Sequence, residues 1–193
     1  MIFPTKFTQA SSCLITSKTF TEVTEYGMVS EVAKRGNPHK WLVDFSTRKL
    51  THTNARELQS FMDSLDGRYN TFTLPCPLPF LGATNSFLVA ANANAGSNTV
   101  SVKNLPISGV NALVAGDYIK FSSHDKVYKI TSTTDSSATG TATMSIHPRL
   151  QANILLNNTV SEGVFTLRLT KDTSGLNITK DVHYLIKISA IEA

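Results

Sequence analysis

The chain has 193 residues, 41% hydrophobic and only 17% charged, and its 18 Lys and Arg against 14 Asp and Glu leave a formal charge of +4. That length allows one large domain or two small ones, and the apolar fraction excludes a chain too polar to fold. The charged fraction falls below the roughly 25% of typical soluble domains, and Thr, Ser and Asn fill the gap, a composition that suits strands and subunit contacts.

The basic residues come singly or in pairs among acids, as at Lys34, Arg35, Arg48, Lys49, Lys120, Lys126 and Lys129. Such scatter does not read as a nucleic-acid stripe. In "MIFPTKFTQASSCLITSKTF" the apolar residues are broken by Pro4, Lys6, Thr8 and Gln9, so a secretory leader is not expected. Nor is a membrane anchor, since no apolar run reaches the ~18 residues a spanning helix needs. Cys13 and Cys76, with no CxxC, are expected as free thiols.

Along the chain, "HKWLVDF" alternates Trp41, Val43 and Phe45 with more polar positions, the period of a half-buried strand ending near Ser46. Asn54 with Glu57 three residues on predicts a capping box, and Ala55, Leu58, Phe61, Met62 and Leu65 share one helical face. Gly67 is the expected stop. "RYNTFTLP" resumes extended structure with Phe72 and Leu74 on one face, and Pro75, Pro77 and Pro79 mark a boundary. From residue 83 the chain becomes charge-poor, and "GDYIKFSS", "DKVYKITSTT" and "GTATMSIHPRL" read as short strands with turns at Gly116, at His124 to Asp125 and at Asp135 to Gly140. Short strands in a unit of this size are most economically closed into a barrel, since closure removes edges. After "LLNNTVSEG" long alternation returns, with faces set by Phe165, Leu167 and Leu169 and by Tyr184, Ile186 and Ile188. The expected class is therefore mainly β, with one domain over 1–82 and 156–193 that carries the helix and an inserted barrel-like β-domain over 83–155.

No catalytic constellation accompanies these elements. The five histidines, His39, His52, His124, His147 and His183, never fall at metal-ligand spacing. Ser123, His124 and Asp125 hold the residue types of a hydrolase triad, but adjacent residues in a turn point apart, so turn chemistry is the expected role. There is no GxSxG, no GxxxxGK and no GxGxxG. No catalytic, metal or cofactor-binding residue is assigned, and no enzyme is expected.

Two stretches resemble a known family. "WLVDFSTRKLTHTNARELQSFMDSLDGRYNTFTLPCP" is similar to the segment of many bacteriophage tail proteins in which a Trp-bearing strand leads to "LT", an alanine-containing helix and an "F.LP.P" strand. "VAGDYIKFSSHDKVYKITSTTDSSATGTATMSIHPRLQ" resembles their middle module through Gly116, Asp117, Val127, Tyr128, Gly140, Pro148 and Leu150. Residues 38 to 151 thus resemble distal tail or related tail-tip and baseplate proteins of long-tailed, siphovirus-like phages.

The resemblance implies a β-sandwich domain carrying one helix, an inserted barrel-like domain, and a homo-oligomeric ring, typically sixfold, assembled in the host cytoplasm and carried in the virion tail. It implies the tail tube protein and the tail-tip or baseplate hub protein as partners, with tail fibres as a further candidate. DNA would pass without sequence-specific contacts. A receptor- or carbohydrate-binding tail module is the alternative.

Overall fold

The structure is a computed structural model that describes residues 1–7, 10–19, 22–26, 29–33, 39–172, 177–178 and 184–193. The described residues are mainly β with one α-helix. In chain order the strands are β1 (Ala10–Thr19), β2 (Glu22–Tyr26), β3 (Val29–Ala33) and β4 (His39–Thr47), then helix α1 (His52–Ser64) and β5 (Thr71–Pro75). There follow β6 (Ser86–Val89), β7 (Thr99–Lys103), β8 (Tyr118–Phe121), β9 (Val127–Ile130), β10 (Ala142–His147) and β11 (Thr159–Glu162). The chain closes with β12 (Val164–Leu169), β13 (Asn177–Ile178), β14 (Tyr184–Leu185) and β15 (Lys187–Glu192).

The chain divides into two compact units, one of Met1–Phe20, Pro38–Pro77 and Thr166–Ala193, the other of Thr21–Asn37 and Leu78–Phe165. In the first, β1, β4, β15, β12 and β5 lie in that order in a five-stranded sheet. β4 sits between β1 and β15, antiparallel to both, with Phe45 opposite Cys13 on one side and Ile188 on the other. Its alternation is as its sequence predicts: Trp41, Val43 and Phe45 are buried while Leu42, Asp44 and Ser46 are less so. β13 and β14 form a separate antiparallel pair.

Helix α1 begins earlier than its capping pattern predicts. Thr51, in extended conformation, is the N-cap, and its hydroxyl accepts a hydrogen bond from the Asn54 N–H at 3.4 Å. A Thr hydroxyl, like an Asn carboxamide, can accept in this role, and Glu57 is left to pair with Lys6 instead of closing a capping box. The expected stop holds, for the helix ends at Ser64 and Asp66 and Gly67 follow with φ of 52° and 61°. A Cβ at Gly67 would come within 2.9 Å of the Asp172 carboxylate, so glycine serves both the turn and the close approach.

Of the predicted helix face, Leu58 and Leu65 are fully buried and Ala55 and Met62 nearly so, while Phe61 is half-buried. The Phe61 ring meets Phe3 edge-on at 5.5 Å and Phe72 of β5 edge-on at 6.0 Å, and Phe3 in turn meets Phe45 of β4 at 5.2 Å. Phe3 thereby joins the helix to two strands of the sheet. Its position is fixed by its own N–H, which donates to the Thr73 carbonyl at 2.9 Å.

The second unit is a closed barrel in the order β10, β7, β6, β11, β8, β9. Inward residues such as Val89, Val102, Ile119, Phe121, Tyr128 and Met144 form one apolar cluster. β11 pairs with β6 on one side and β8 on the other, so the barrel runs past residue 155, where a boundary was expected. That segment reads as a polar linker because Val160 is its one core residue. β2 and β3, in the other segment of this unit, form an antiparallel hairpin with Glu22 opposite Ala33.

The packing of α1 gives a graded expectation. Leu58→Ala removes a fully buried side chain and should cost about 3 kcal/mol, whereas Phe61→Ala, whose ring keeps part of its surface in water, should cost about 2 kcal/mol. Urea unfolding midpoints of the two variants check this, and a larger loss for Phe61→Ala would mean that the helix presents a different face.

Candidate functional site

The barrel carries a Gly-Asp pair at the start of β8 whose chemistry is structural. Gly116 adopts φ of 109°, a conformation that a side chain would strain. Asp117 follows with only 4% exposure, and its carboxylate accepts the Leu81 N–H at 3.0 Å and the Gly82 N–H at 2.8 Å. Its backbone carbonyl accepts from Ile130 at 2.8 Å. One residue thus ties the segment entering the barrel to β8 and to the end of β9. Gly140 has a comparable necessity, since a Cβ there would lie 2.5 Å from the Leu105 carbonyl oxygen.

Ser123, His124 and Asp125 are brought together in the turn between β8 and β9, but not as a relay. Ser123 Oγ lies 3.0 Å from His124 Nδ1. Asp125 instead binds the Lys120 ammonium at 2.6 Å, and the other imidazole nitrogen faces the Tyr128 hydroxyl at 2.8 Å. A triad needs a base oriented by a carboxylate and a nucleophile on its far side. Here the hydroxyl occupies one nitrogen and a phenol the other, so the group closes a turn.

His39 and His52 also make side-chain contacts. His39 Nε2 lies 2.9 Å from Ser17 Oγ, and His52 Nδ1 lies 2.7 Å from the Tyr184 hydroxyl. His183, Lys34 and Arg35 lie outside the described residues. Among the described residues no three His, Cys, Asp or Glu side chains converge on a point that could hold a metal ion, and no helix is long and apolar enough to cross a membrane. Cys13 and Cys76 are half-buried and not in a disulfide, and burial together with the nearby Asp44 carboxylate pushes the Cys13 thiol up from its ordinary range.

A recess of about 200 Å³ in the first unit is lined by Lys6, Phe7, Thr47, Arg48, Lys49, Leu50 and Asn54. Its floor is apolar, since Phe7 and Leu50 are buried, and its rim is cationic. The rim charge is partly met within the chain by the ion pair of Lys6 with Glu57. The sole tryptophan, Trp41, is 2% exposed and offers no stacking platform for a sugar.

The Asp117 bracket sets a clear expectation. Asp117→Ala removes the acceptor of two backbone N–H groups and should lower stability by about 3 kcal/mol, while Asp117→Asn, which keeps one carbonyl oxygen, should lose about half as much. Chemical denaturation of the three proteins checks the ranking, and equal losses for Ala and Asn would show that the paired acceptance is not what matters.

The bracket, the closed six-stranded barrel and the glycine at 140 all fall within one segment that has a counterpart among known proteins. Residues 79–165 match the family model of the B domain of distal tail protein pb9. No curated protein sequence matches the chain. The barrel unit thus carries a domain of the bacteriophage distal tail protein family.

Proposed function

We propose that the chain forms a homo-oligomeric ring, of six copies, that joins the phage tail tube to the tail tip or baseplate hub and leaves a channel for DNA. The observation that carries this reading is the distal tail protein match over the barrel unit. The first unit adds a physical argument. A closed ring repeats one head-to-tail contact, so each subunit must present two different surfaces. The five-stranded sheet has two unlike margins: β1, a strand of 10 residues, and β5, alongside which residue 2 bridges Thr73 in parallel. In β1 the side chains of Ser12, Leu14, Thr16 and Lys18 are exposed, a mixture suited to contact with protein while the lysine discourages promiscuous strand pairing.

In this reading the unit of 1–20, 38–77 and 166–193 supplies the ring-forming surfaces, the barrel is an insertion, and the neighbours are the tail tube protein and the hub, with tail fibres as a further partner. DNA crosses a near-neutral or mildly positive lumen as a polyanion, without base-edge contacts. Native mass spectrometry of tails released from particles should give a species of six copies bound to tail neighbours. An isolated monomer with a saturable small-molecule site, absent from the tail, would replace this reading with that of a binding protein.

A further inference from the structure

Tyr128 of β9 is fully buried, and its hydroxyl is a junction between two loops of the barrel. It accepts the Gln151 N–H at 3.1 Å from the segment after β10, and it faces His124 Nε2 at 2.8 Å from the turn after β8. The imidazole is held on its other sides as well. It stacks nearly parallel on Phe121, with centroids 6.0 Å apart and 18° between planes, and stands edge-on to the Tyr128 ring at 5.6 Å. Ser123 Oγ lies 3.0 Å from Nδ1.

With the imidazole neutral and its proton on Nδ1, these contacts are satisfied together. Nδ1–H donates to Ser123, the Tyr128 O–H donates to the Nε2 lone pair, and the phenol oxygen keeps its own lone pairs for the Gln151 N–H. Protonation makes Nε2 a donor, so it can no longer accept from Tyr128, and the phenol proton must turn toward another site. A cation also forms against an aromatic wall and close to other cations. Among the described residues the charged groups that act on it are Asp125, which favours the proton, and Lys120 and Lys126, which oppose it.

We propose that His124 is a proton-sensitive latch for the segment 148–153 of the barrel: neutral, it holds that segment through Tyr128, and protonated, it weakens the Gln151 anchor. Burial, as the largest cause, holds the His124 imidazole below its ordinary pKa, with the two lysines adding to the effect and Asp125 opposing it. The sign follows from linkage. A group with a depressed folded pKa contributes stability that is fully present above its unfolded pKa of about 6.5 and is lost as pH falls through the folded value. The latch is therefore closed at pH 7.5 and opens on the acid side of 6.5. The rest of the segment is held independently, since Leu150 N–H donates to the Ser97 carbonyl at 2.8 Å and Gly96 N–H to the Leu150 carbonyl at 2.7 Å. Opening is local.

The test follows the Gln151 amide and the His124 ring by NMR in the full chain between pH 7.5 and 5. The expected result is a His124 midpoint below 6.5 and a Gln151 amide whose shift follows the same midpoint, with faster intrinsic-rate-corrected hydrogen exchange on the acid side. His124→Phe, which keeps the stack and cannot titrate, should abolish the pH dependence at Gln151. Tyr128→Phe, which keeps the ring and removes the hydroxyl, should give fast exchange at Gln151 at both pH values, and it serves if His124→Phe does not fold. A Gln151 amide that stays unchanged while His124 titrates, or a midpoint at or above 6.5, overturns the proposal.

Discussion

The barrel depends on closure. Its strands are four to six residues long, lengths at which an open edge would leave most backbone groups of a strand without partners. Joining β10 to β9 at one seam and to β7 at the other removes every edge. The same closure shapes the loops, which must turn tightly to deliver the next strand in register. Left-handed residues accumulate there, at Asn104, Ser108, Asn111 and Asn157 besides the glycines at 96, 116 and 140. The turn-forming Asn and Ser content of this charge-poor region is thus the cost of closing a small barrel.

The first unit solves a different problem. An open five-stranded sheet must cover its apolar face, and the single helix contributes to that cover with Phe3, which reaches Phe45, Phe61 and Phe72. The terminal residues are held for this purpose by backbone bonds on both sides of Thr73, whose N–H donates to the Met1 carbonyl and whose carbonyl accepts from Phe3. His52 at the start of the helix meets Tyr184 from 132 positions along the chain. A short helix gains its stability from such packing more than from propensity.

Much of this was legible in the sequence because alternation is a direct imprint of half-buried strands. Trp41, Val43 and Phe45, Phe72 and Leu74, and Phe165, Leu167 and Leu169 all lie buried as their spacing predicts. The helix start was misplaced because Asn54 and Glu57 satisfy the capping pattern locally, while Lys6, 51 positions away, claims the Glu57 carboxylate. β11 was hidden by its single core residue. Asp117 was legible as part of a resemblance, but its task was not, because its two N–H partners lie 35 and 36 positions earlier in a segment with no pattern of its own. The His124 junction was legible only as a turn. Its link to Tyr128 spans four residues, but the link on to Gln151 crosses 23 more, and no local rule reports a contact made through a third strand.

The central claim is the proposal that this chain is a building block of the tail and assembles into a ring. Electron cryomicroscopy of intact particles tests it most directly. The account predicts six copies of the five-stranded sheet unit and of the closed barrel in a ring at the distal end of the tail tube, around an axial channel wide enough for duplex DNA. Density at that position that accommodates neither unit, in particles that contain the chain elsewhere or lack it, would contradict the account.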